Sequence, residues 1–136
     1  MPRQIYVNLP VRDLAATKAF FTALGFSFHP QFSNDQGACM VIGEHSFVML
    51  LVEPFFQTFT KKPVADATRS TEVLVCLSCA SRAEVDQLVA KALAAGGTAP
   101  QPPLDHGFMY GHGFTDLDGH MWELTYMDPS AVPPRG

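Results

Sequence analysis

Glu72 and Glu123 are the side chains whose type and placement in this sequence first suggest chemistry. Each sits in an apolar, alternating stretch, TEVLVCLS and MWELTYM, of the kind that forms a half-buried strand. Side chains alternate along a strand, so Glu123 shares a face with Met121 and Thr125, and Glu72 shares one with Leu74 and Cys76. A carboxylate placed there belongs at a solvated sheet edge or inside a cavity where something pairs with it. Two carboxylates brought close raise one pKa, which suits proton transfer at an enolisable carbon, and the pair could also hold a mostly hydrated Mg²⁺ or Mn²⁺. A surface glutamate is the ordinary alternative for either residue alone. Recurrence of the same face in both halves of the chain sets the pair apart.

Other reactive residue types read as structural. Cys76 and Cys79 have a spacing that on a turn could bind zinc or run redox chemistry, but on a strand positions three apart point to opposite faces. With Cys39 they make three cysteines, an odd number expected to be reduced and mostly buried. His29 and His45 fall on or beside expected turns and His120 follows Asp118-Gly119, so all three are expected to be structural or exposed. His106 and His112 lie in the run DHGFMYGHG, whose glycines permit close backbone approach. There is no G-x-S-x-G, no phosphate-cradling glycine loop and no H-E-x-x-H, and Asp116-Leu117-Asp118-Gly119 lacks the later acidic ligand of a calcium loop.

The elements that must position these residues repeat. In the first half an alternating stretch, Ile5–Val11, precedes Asp13 as helix N-cap, a helix with the apolar stripe Phe20, Phe21 and Leu24, and Gly25 as its stop. FSFHPQF, ACMVIG and SFVMLLVE then read as three strands separated by turn compositions. The second half restarts at Thr71 with EVLVCLS, followed by the capping box Ser81-Arg82-Ala83-Glu84 and a helix striped by Val85, Leu88, Val89 and Ala92. Gly96-Gly97 ends that helix, and strands are expected around 98–101, 108–115 and Met121–Met127. The chain therefore reads as one α+β domain, residues 1–136, made of two βαβββ modules: 4–53, a linker 54–70, 71–127 and a tail 128–136 that is expected to fray.

Parity assigns the faces. Val7, Leu9 and Val11, with Val48, Leu50 and Val52, Val73, Val75 and Leu77, and Trp122, Leu124 and Tyr126, should meet the helices. The opposite face carries Tyr6 and Asn8, Met49 and Leu51, and the two glutamates with their neighbours. In the linker, Phe55, Phe56 and Phe59 fit one face of a helical turn that Pro63 interrupts. This cluster could cap a pocket or simply fill a core.

Composition narrows the partners. A formal charge of −4, with no basic cluster beyond Lys61-Lys62, offers a nucleic-acid backbone nothing to neutralise. No apolar run approaches the ~20 residues of a membrane span, and the start MPRQIYVNLPVRDL has no signal-peptide core, so no membrane is expected and a cytoplasmic location is the default.

VNLPVRDLAATKAFFTALGF and FTDLDGHMWELTYMDP resemble the opening and closing motifs of the vicinal oxygen chelate superfamily, which includes glyoxalase I, bleomycin-resistance proteins and extradiol dioxygenases. The sequence is most similar there to bacterial predicted lactoylglutathione lyases. The resemblance implies two βαβββ modules whose curved mixed sheets surround a concave site for a small-molecule ligand, in a homodimer. It implies four metal-ligand slots, on Tyr6, Met49, Glu72 and Glu123, of which only the two glutamates are good donors. The cofactor expectation is accordingly a weakly bound divalent metal (Zn, Ni, Mn or Mg) or none. By the same resemblance the DHGFMYG run lines the pocket, with His106 and Tyr110 as candidate substrate contacts beside Tyr6, Asn8, Met49, Phe55, Phe56 and Phe59. The activity it implies is a glyoxalase-like lyase or isomerase on a small oxygenated or thiol-conjugated substrate, with Glu123 moving the proton and Glu72 assisting. The alternative is a metal-free binding or sequestering protein of the bleomycin-resistance type. Ring-cleaving dioxygenase chemistry is disfavoured, because iron needs histidines that the slots lack.

Overall fold

The computed structural model describes residues 3–130 and divides into two compact units, Met1–Asp66 and Ala67–Gly136, each holding one sheet. In the first unit β1 (Ile5–Val11) leads into α1 (Leu14–Ala23). Asp13 caps this helix by accepting from the Ala16 N–H at 3.1 Å, and Gly25, at φ +102°, provides the left-handed stop. The chain returns through β2 (Ser27–Phe28), β3 (Gly37–Gly43) and β4 (Ser46–Val52), giving the order β1-β4-β3-β2 with β1 parallel to β4. The strand expected over FSFHPQF is cut to two residues. Pro30 has no N–H for a ladder, and Pro30–Phe32 coils into a 3-10 turn instead. The linker aromatics do form a helical turn: α2 (Glu53–Phe56) starts with Pro54 in its first turn and passes into a second 3-10 turn, Gln57–Phe59.

The second unit repeats the plan with β5 (Leu74–Ser78), α3 (Arg82–Ala94), β6 (Leu104–Asp105), β7 (Met109–Thr115) and β8 (Met121–Met127), in the order β5-β8-β7-β6. Ser81 caps α3 by accepting from Glu84 N–H, while the Glu84 carboxylate accepts from Ala80 N–H. Two boundaries differ from expectation. Residues 98–101 contribute only a Thr98–Thr115 bridge, because Pro100, Pro102 and Pro103 cannot donate, and the pairing strand forms later at Leu104–Asp105. The fifth strand begins at Leu74, so Glu72 precedes it.

The parity assignment holds where it positions the sites. Leu9, Val11, Val48 and Leu50 are buried with Phe20 and Phe21 of α1, and Trp122 and Leu124 are buried with Val85, Val89 and Ala92 of α3. Val75 and Leu77 are only half-buried. Each sheet therefore has one face turned to its helix and one open face carrying the candidate chemistry. Among the described residues no helix is long and apolar enough to cross a membrane. The expected fraying of the tail concerns residues that lie mostly outside those described; the Asp128 N–H donates to the Phe108 carbonyl, and Asp128 Oδ1 accepts from the N–H and hydroxyl of Ser130.

Candidate functional site

The open face of the first sheet gathers five of the residues expected to bind substrate. Register sets Tyr6 beside Phe47, with the two rings stacked at 5.0 Å, and sets Asn8 beside Met49 one rung along. Tyr6, Asn8 and Met49, with Phe32 of the 3-10 turn that replaces most of β2, line a concavity of about 370 Å³. A second concavity of about 370 Å³ is lined by Asn8, Phe56, Phe59 and Thr60. Asn8 bounds both. The helical turn of α2 brings Phe56 to this wall, and Phe55 meets Phe59 edge-on at 5.2 Å. Phe32 and Thr60 were not anticipated; the Pro30 turn that places Phe32 was the available signal.

Polar groups on this wall are few. The Tyr6 hydroxyl donates to Gln4 Oε1 at 2.8 Å. Asn8 Nδ2 reaches Tyr6 carbonyl oxygen only at 3.5 Å, the outer limit of a hydrogen bond, and its Oδ1 accepts from no described residue.

In the second unit Glu123 lies on the open face of β8, between Cys76 of β5 and Gly113 of β7. Its carboxylate bends over Gly113: a Cβ there would stand 2.9 Å from Oε2 and 2.7 Å from the Trp122 carbonyl oxygen. Among the described residues it accepts no hydrogen bond and pairs with no cation. Cys76 Sγ lies 3.2 Å from Thr125 Oγ1 on the same face. Cys79 points elsewhere, and burial with the neighbouring Glu84 carboxylate pushes its thiol up to about 11.

Glu72 is not Glu123's partner. It accepts from Nδ1 of His120 at 2.8 Å, and that imidazole, expected at a turn, is buried. The turn around it is a polar core. Asp116 accepts from the Asp118 and His120 N–H groups on one oxygen and from Trp122 Nε1 at 2.9 Å on the other. Burial raises the Asp116 pKa, against the pull of His120 and these donors. Sequence reasoning missed this cluster, although a core tryptophan needs an acceptor for its N–H.

The repeat also moves a slot. Tyr6 stands seven residues before its helix cap Asp13, and the residue seven before Ser81 is Leu74. Pairing agrees: Asn8 opposes Met49 as Cys76 opposes Glu123, which makes Leu74 the counterpart of Tyr6. The four slots thus read Tyr6, Met49, Leu74 and Glu123. A phenol already hydrogen-bonded, a thioether, a hydrocarbon and one carboxylate do not fit a divalent metal. Among the described residues no group of three or more His, Cys, Asp or Glu side chains converges as a metal site.

Tyr110 and His106 also sit apart from Glu123. Tyr110 is paired with Tyr126 and, on the helix side, its hydroxyl donates to Asp86 of α3 at 2.5 Å beneath the Arg82 guanidinium. His106 occupies the exposed turn between β6 and β7, where its N–H donates to the Met109 carbonyl. His112 Nε2 lies 3.0 Å from the Gln101 carbonyl oxygen.

Residues 3–43 match the family described as Bleomycin resistance protein-like N-terminal. A hypothetical protein from S. aureus is 32% identical, with 93% of this chain and 94% of that one covered at a TM-score of 0.78. A glyoxalase/bleomycin resistance protein/dioxygenase family enzyme from Burkholderia phytofirmans is 19% identical over 93% of this chain and 99% of that one, at a TM-score of 0.76. A genomically encoded fosfomycin resistance protein from Listeria monocytogenes is 20% identical over 99% and 96%, at 0.66. No curated protein matches the sequence significantly.

Proposed function

We propose that the chain, whose fold is shared with glyoxalase/bleomycin resistance/dioxygenase structures and whose residues 3–43 match the bleomycin-resistance-like family, is a member of the vicinal oxygen chelate superfamily that binds a small molecule without a metal. The observation that carries this reading is the lining of the first unit's open face. Positions that would hold donors carry Tyr6 and Met49, and these build an aromatic and thioether wall around Asn8. A wall of that kind gains affinity from apolar contact and orients its ligand by a few polar groups, whereas it has little to offer a cation of borderline hardness. The bleomycin-resistance-like match to residues 3–43 supports the same reading.

A second reading rests on Glu123. A carboxylate with no partner among the described residues, seated over a glycine, is placed to take a proton from an enolisable carbon, as a glyoxalase-like lyase or isomerase requires. Glu72 has no part in this version, because it is held by His120.

The experiment that separates the two uses chelator-treated protein. Calorimetric titration with small aromatic ligands should give the same affinity with and without EDTA, and a hemithioacetal turnover assay should stay at background after Zn²⁺ or Ni²⁺ is added. Turnover in the chelator-treated protein that Glu123→Gln abolishes would remove the binding-only reading in favour of the second.

A further inference from the structure

We infer that the ligand of the first unit's open face is an uncharged, planar molecule whose edge presents a hydrogen-bond donor beside an acceptor, as a lactam or carboxamide does, and that Asn8 reads that edge. The inference rests on the proposed metal-free binding and adds the chemical class.

Three observations converge on it. The first is the lining. Tyr6, Phe32, Met49, Phe56, Phe59 and Thr60 carry no charge, so a charged ligand group would lose its hydration there without a counter-ion. The second is shape. The lining is aromatic, with Tyr6 and Phe32 in one concavity and Phe56 and Phe59 in the other, and the polarisable Met49 thioether beside them, groups that favour a flat partner. At about 370 Å³, either concavity accepts a molecule of bicyclic size.

The third is the state of Asn8. A side-chain amide offers one carbonyl acceptor and an NH₂ donor on the same planar group. Here the NH₂ makes only the 3.5 Å contact to Tyr6 and the carbonyl accepts nothing among the described residues. Asn8 bounds both concavities, and Thr60 is the other short polar side chain of the lining. A primary amide pairs in two hydrogen bonds with a lactam or carboxamide edge. It has no such match with a carboxylate, which lacks a donor, or an ammonium, which lacks an acceptor. Asn8 is exposed where both concavities open, so its amide can exchange water for a planar donor–acceptor edge.

The test compares probes of one ring size: 2-quinolinone, naphthalene, 2-naphthoate and 2-naphthylmethylammonium, titrated by calorimetry into chelator-treated protein, with the Asn8 side-chain NH₂ followed by NMR. 2-Quinolinone should bind about tenfold more tightly than naphthalene, as two neutral hydrogen bonds allow, and should shift the Asn8 NH₂ signals. Asn8→Leu should erase that preference, so that the two probes bind alike; the isosteric Asn8→Asp should also weaken 2-quinolinone. Equal binding of naphthalene and 2-quinolinone, tighter binding of either charged probe, or a preference that survives Asn8→Leu overturns the inference while leaving metal-free binding intact. If no probe binds, or binding appears only when Zn²⁺ or Ni²⁺ is supplied, the metal-free reading fails and the inference with it.

Discussion

His120 Nδ1 donates to Glu72 Oε1 across 2.8 Å, and the pair joins the segment before β5 to the turn before β8. The imidazole is 2% exposed, so its removal leaves both a cavity and an orphaned carboxylate. His120→Ala should lower unfolding stability by about 2–4 kcal/mol in urea titrations, and Glu72→Gln by about 1 kcal/mol, with ligand binding retained once the protein is folded. Loss of binding in a folded Glu72→Gln protein would return Glu72 to the site.

Gly113 and Gly111 face the same side of β7 but differ in what a side chain would meet. At Gly113 a Cβ would stand 2.7 Å from the Trp122 carbonyl oxygen, a backbone atom that cannot step aside, whereas at Gly111 the nearest atom is 3.5 Å away. Gly113→Ala should cost about 2 kcal/mol and displace the Glu123 carboxylate, and Gly111→Ala should change stability by about 0.5 kcal/mol or less. Equal effects in thermal unfolding would mean that β7 adjusts freely.

Asp105 supplies a pH signature. Its hydrogen bonds from the Arg82 guanidinium, then from Gly107 N–H, hold its carboxyl at about 2, below the usual 3.8. A depressed pKa stabilises the fold above the unfolded value, and the contribution is lost as pH falls from about 4 through about 2. The stability difference between the natural protein and Asp105→Asn should be present at neutral pH and vanish at the acid end of that window. A difference independent of pH would show that the ion pair does not carry it.

The three thiols should react in sequence with an exposed-thiol reagent in native protein. Cys76 is exposed and should be modified first; Cys79, with its pKa pushed up to about 11, should follow slowly, and the buried Cys39 only on unfolding. Rapid modification of Cys79 would mean that its burial is transient.

Much of this was legible before the fold was known, and the exceptions have physical causes. Alternation in Ile5–Val11 and Met121–Met127 assigned both open faces, because a two-residue period leaves no choice of side. Caps at Asp13 and Ser81 were equally plain. Where prolines fall, at Pro30 and from Pro100 to Pro103, the expected strands shorten or move, since pattern alone does not count missing N–H donors. Of the residues expected to contact substrate, Tyr6, Asn8 and Met49 line one concavity and Phe56 and Phe59 another, with Asn8 in both. Glu72 precedes β5, and Leu74 holds the register position equivalent to Tyr6: an alternating stretch shows parity but not where pairing starts, and a two-residue shift keeps the parity while changing the neighbour. Tyr110 was expected toward the ligand, yet its parity with Phe114 already placed it on the helix side.

Elemental analysis of protein purified without chelator tests the central claim most directly. The account predicts no stoichiometric divalent transition metal, with small-molecule binding undiminished. One equivalent of zinc or nickel per chain, lost together with ligand binding on Glu123→Gln, would contradict it.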